Sequence, residues 1–77
     1  MTKKETREIF AKELNMLVEC MDNMLTNNQL GAFEENEHRL TQTITIAERL
    51  GLEDLAYNGR FNRLTLRTKY RNIKLAQ

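Results

Sequence analysis

Apolar residues recur at Phe10, Leu14, Leu17, Met21 and Met24, in steps that alternate between four and three. This spacing keeps one stripe of a helix turned toward a partner. Val18 and Leu25 widen the stripe, which favours a globular bundle over a narrow two-stranded coil. Ahead of it, Thr2-Lys3-Lys4-Glu5 fits a capping box, in which a threonine oxygen accepts from a free helix amide. The pattern predicts a helix over 3–25. Thr26-Asn27-Asn28 ends it, because asparagine tolerates left-handed backbone and competes for main-chain hydrogen bonds.

A second face gathers Phe33, Leu40, Ile44 and Ala47 and predicts a helix over 29–50, with Asn28 as its N-cap and Gly31 weakening only its first turn. Thr41 to Ile46 alternates polar and apolar residues with β-branched side chains, which in isolation reads as a strand. Its flanks, Glu34 to Arg39 and Ala47 to Leu50, continue a helix, and a lone strand would lack a partner. Gly51 then stands where a C-cap glycine belongs, with Leu52 behind it to close the hydrophobic contact. Glu53 and Asp54 put negative charge at the start of a third helix over 53–75. Asn58-Gly59 is a hairpin signal and Leu64 to Tyr70 alternates, so a hairpin over 55–70 is the alternative. The expected fold is all-α: one domain, 1–77, a small three-helix bundle whose long C-terminal helix is amphipathic and basic.

Steps of 100° sort the third helix into faces. Tyr57, Phe61, Leu64, Thr68 and Leu75 lie on one side. Leu52, Leu55, Leu66, Tyr70 and Ile73 lie almost opposite, and Arg60, Arg63, Arg67, Arg71 and Lys74 form a basic stripe between them. Two opposed apolar faces are more than a short bundle covers. The expectation is therefore a two-fold homodimer, with Leu55, Leu66, Tyr70 and Ile73 at the interface.

Charge sharpens the picture. Residues 1–54 hold all eleven acids and six basic groups, a net −5, whereas residues 55–77 hold six basic groups and no acid. Such polarity suits an anionic partner or the acidic half of another copy. The other reading of the stripe is a solvated helix face. Glu37 falls inside the apolar stripe of the second helix, either reaching solvent at its edge or serving as a buried partner for an arginine of this chain or of another copy.

Composition removes many functions. With 77 residues, one cysteine and one histidine, the chain has no internal disulfide and no Cys/His set for zinc. No run of apolar residues is long enough to span a membrane, and Met1 to Glu8 lacks the apolar core of a signal peptide, so a cytoplasmic location is expected. A membrane-surface role suits it poorly, since tryptophan is absent and the apolar area is divided. Met16, Met21 and Met24 read as core filler and Cys20 as a buried structural thiol. His38, among Glu34, Glu35 and Glu37, reads as an exposed helix residue. No glycine-rich phosphate loop or catalytic constellation is present, so neither catalysis nor a cofactor is expected.

Ile46-Ala47-Glu48-Arg49-Leu50-Gly51-Leu52, with Tyr57 beyond, resembles part of a helix-turn-helix, whose small residue and turn glycine are four apart like Ala47 and Gly51. The resemblance covers about twenty residues, 46–63. It departs from the motif at Arg60, where an apolar residue is expected, and at Glu53 and Asp54, which phosphate would repel. The reading that follows is a non-catalytic interaction or regulatory protein, of adaptor or inhibitor type. Its expected partner surface is Arg60, Arg63, Arg67, Arg71 and Lys74, with a protein favoured over nucleic acid. A small nucleic-acid-binding regulator using the same helix is the alternative.

Overall fold

Thr2 sets the first boundary. Its Oγ1 accepts from the Glu5 amide at 3.1 Å, as the capping pattern predicts, and its hydroxyl also donates to Glu5 Oε1. In a computed structural model describing residues 2–77, three helices follow: α1 (Lys3–Thr26), α2 (Phe33–Arg49) and α3 (Glu53–Leu75).

Two left-handed residues make the turns. Asn28 has φ 57° and Gly51 φ 82°. At the first, Gln29 N–H donates to Met24 O and Asn28 N–H to Leu25 O; at the second, Leu52 N–H donates to Ala47 O and Gly51 N–H to Glu48 O. Both are Schellman closures, which satisfy the last carbonyls of a helix. Asn28 thus finishes α1 rather than capping α2, and the second helix begins at Phe33 instead of 29. Gly31 lies in the turn ahead of it, not in its first helical turn.

The alternating segment Thr41 to Ile46 is helical. Its threonine hydroxyls donate back to the carbonyls four residues earlier: Thr41 to Glu37, Thr43 to Arg39 and Thr45 to Thr41, at 2.9–3.0 Å. This local bonding lets β-branched polar residues sit in a helix. Residues 55–70 are likewise helical throughout, so Asn58-Gly59 makes no hairpin.

Packing runs lengthwise. Arg7 meets Asp54 and Asp22 meets Lys69, the same sequence offset two helical stretches apart, so α1 and α3 run parallel. Along α2 and α3 the partners run in opposite order, Glu48 with Arg60 and Glu34 with Arg67, so these two are antiparallel. The result is an up-down-up bundle of 47 × 16 × 15 Å. Its core holds Leu14, Leu17, Met21 and Leu25 from α1, Phe33, Leu40 and Ile44 from α2, and Ala56, Leu66 and Tyr70 from α3. Phe33 and Tyr70 stack in this core, ring centroids 4.1 Å apart.

This arrangement corrects the expected oligomer interface. Leu66 and Tyr70 are 3% and 7% exposed within a single chain, and Leu55 and Ile73 are half-buried against the same core. The side of α3 assigned to another copy is the side covered by α1 and α2. The small residues Ala56 and Gly59, both buried, mark where those helices approach closely. The α2–α3 joint is also a side-by-side hairpin, unlike the steep crossing of a helix-turn-helix.

Candidate interaction surface

With one apolar face of α3 in the core, the opposite face is left to solvent. Tyr57, Phe61, Leu64 and Leu75 are 71%, 64%, 59% and 77% exposed. They fall at helical spacings of four, three and eleven, so they form one stripe rather than scattered single residues. By the same 100° steps Arg60 and Arg71 border this stripe on one flank. Apolar anchors rimmed by arginine are the composition of protein interfaces.

The basic stripe lies between this face and the core, and α2 meets much of it. Arg67 is half-buried; its Nη1 donates to Glu34 Oε1 at 2.8 Å and to Glu37 Oε1 at 3.1 Å. The hydrogen bond to Glu34, followed by the charge of Glu37, raises the Arg67 pKa further above its ordinary value. The guanidinium also lies 5.5 Å from the centre of the Tyr70 ring, and Lys74 Nζ lies 5.2 Å from it. These distances suit cation–π attraction, which helps fix both cations over the buried ring. Arg63 donates to Thr41 Oγ1 at 3.1 Å, and Arg60 pairs with Glu48 at 2.5 Å. The side chain of Glu37 is 17% exposed and bridged by Arg67, so its arginine partner comes from the same chain.

Arg71 makes no ion pair among the described residues, and neither do Arg63 and Lys74. Together with Lys74, Tyr70, Leu75, Arg67 and Glu34, Arg71 lines a shallow depression near the C-terminal end of α3. Two of those walls, Arg67 and Glu34, are already paired. Every buried polar side-chain atom among the described residues has a hydrogen-bond partner, and no cluster of three metal-ligating side chains occurs among them.

Comparison with protein-family models, with curated proteins and with solved structures finds no match to this chain.

Several residues sit where the amino-acid pattern did not place them. Cys20 is exposed, not buried, because it lies on the flank of α1 turned away from both neighbours. Met16 is 56% exposed on the same outer side, whereas Met21 is fully buried and Met24 half-buried. His38 is exposed as expected. No described helix is long and apolar enough to cross a membrane. Both apolar stripes of α3 are visible in the sequence; which of them is the core is not. A discriminating signal was available in Ala56 and Gly59, since small residues on a helix permit close approach, and both share the side of Leu66 and Tyr70.

Proposed function

We propose that the chain is a non-catalytic interaction protein, of adaptor or inhibitor type, that works through the outward face of α3. Tyr57, Phe61, Leu64 and Leu75 anchor the contact, and Arg60 and Arg71 form its rim. The observation that carries this reading is the exposure of Tyr57, Phe61 and Leu64 by more than half on a single helix face. Exposed aromatic and leucine side chains in a contiguous row cost solubility, and in soluble proteins such patches mark interaction sites. Arg71 and Lys74 add cations without a carboxylate partner among the described residues, which suits a partner carrying acidic groups at its edge. A nucleic-acid role is less well supported, because phosphate would have to displace Glu34, Glu37 and Glu48 from Arg67 and Arg60.

Site-specific photo-crosslinking in the source cells tests the reading. A benzophenone amino acid in place of Phe61 is expected to capture protein, whereas the same group at Gln42, on the open surface of α2, captures none. Nucleic-acid adducts from position 61, or equal yields from both positions, would reject it.

A further inference from the structure

Resting on that reading, we infer that the occupant of the outward α3 face is a second copy of this chain, its α3 packed antiparallel across a two-fold axis. The argument comes from how the charges are distributed along the helix. The first turn of α3 carries Glu53 and Asp54, while its last turns carry Arg71 and Lys74. An antiparallel pairing therefore sets each acidic N-terminal turn beside the basic C-terminal turns of the other copy. The two helix dipoles also oppose in that arrangement, whereas a parallel pairing aligns like ends.

Register follows from the same residues. With the axis between Phe61 and Leu64, Phe61 of one copy faces Leu64 of the other, and Tyr57 faces Thr68. The same register brings Glu53 within one residue, about 1.5 Å of helix rise, of the level of Arg71. Glu53 and Arg71 are five helical turns apart, so they share one flank of the apolar stripe, and in an antiparallel pair equal flanks meet. Neither makes an ion pair among the described residues. Asp54, the other acid of that turn, is already held by Arg7. One register thus covers Tyr57, Phe61 and Leu64 and sets Arg71 beside Glu53, two charges on the same flank that make no ion pair within the described chain. The dimer places the α1–α2 hairpins on opposite outer sides, with α3 of each copy at the centre.

Light scattering behind size exclusion, on the full chain at ~100 μM, tests it. The wild-type chain is expected at the mass of two chains. Phe61→Asp, at an exposed position, is expected at the mass of one with an unchanged helical spectrum. Arg71→Glu and Glu53→Arg should each weaken the dimer by about 3- to 10-fold, because an exposed ion pair occurs twice. The combined Glu53→Arg/Arg71→Glu chain should return to within about 2-fold of wild type. A wild-type chain at the mass of one, a dimer that survives Phe61→Asp, or a double exchange no better than the single ones would each overturn the inference. If the chain is monomeric while position 61 still captures a different protein in cells, the dimer is lost but the interaction surface stands. If position 61 captures no protein at all, both readings fail.

Discussion

Gly59 of α3 lies against Ile44 of α2 so closely that a Cβ at position 59 would stand 2.8 Å from Ile44 Cγ1 and 3.1 Å from its Cδ1. A β-branched side chain in a helix is nearly fixed at χ1, so Ile44 has little freedom to retreat. Replacing glycine by alanine in a helix gains roughly 1 kcal/mol of propensity, but overpacking a filled site costs about 1–3 kcal/mol. Gly59→Ala is therefore expected to lower the unfolding free energy by ~1 kcal/mol, read by urea denaturation. In an Ile44→Ala background the same change should be neutral or stabilising, because the new methyl group then fills space. A stabilising Gly59→Ala in the wild-type chain would show that the helices have room to move apart.

The two apolar sides of α3 should respond very differently to truncation. Tyr70 is 7% exposed and stacked on Phe33, so Tyr70→Ala is expected to cost about 3–5 kcal/mol. Phe61 is 64% exposed, so Phe61→Ala in the monomer should stay within about 0.5 kcal/mol of wild type. Thermal melts of both variants at low concentration would separate these effects. Equal losses would mean that the faces are interchanged.

Much of the architecture is legible in the amino-acid sequence. The Thr2 cap, the Gly51 closure and the start of α3 at Glu53 all follow from residue types at fixed offsets, because capping is local chemistry. Asn28 ends α1 as its residue type predicts but does not cap α2, because its backbone is left-handed whereas an N-cap takes extended backbone. The hairpin signal in Asn58-Gly59 failed because Gly59 serves a close helix contact, which is tertiary information. The faces of α3 failed for a related reason. Periodicity shows that two stripes exist, while the choice between them depends on where α1 and α2 lie. The basic stripe was legible as a stripe, but its carboxylates come from a different helix, up to 33 residues away.

Charge reversal at Arg67 tests whether that stripe is structural. Arg67→Glu would face Glu34 and Glu37 with a third carboxylate, replacing two attractions by repulsion. Expected is a loss of roughly 1–2 kcal/mol at low ionic strength, shrinking as salt screens the exposed members of the cluster. Chemical denaturation at low and high salt reads both quantities. Unchanged stability would show that the α2 carboxylates contribute nothing through Arg67.

The ion pair at the other end of the bundle has a pH signature. The hydrogen bond from Arg7 lowers the Asp54 pKa to about 2, against an unfolded value near ~3.9. Because the folded value is the lower one, the stability from this group is complete above ~4 and is lost as pH falls toward 2. Carboxyl-carbon NMR titration should place Asp54 at about 2, and Arg7→Gln should return it toward the ordinary aspartate range. An Asp54 midpoint that ignores Arg7→Gln would contradict the pairing.

The central claim is that α3 buries one apolar side within the chain and presents the other to a second copy. Methyl and aromatic NMR spectra followed on dilution from ~1 mM to ~10 μM test it most directly, since they resolve the two sides in one sample. The account predicts concentration-dependent shifts at Tyr57, Phe61 and Leu64, while Leu66 and Tyr70 hold constant. Shifts centred on Leu66 and Tyr70, or none anywhere across the dilution, would contradict it.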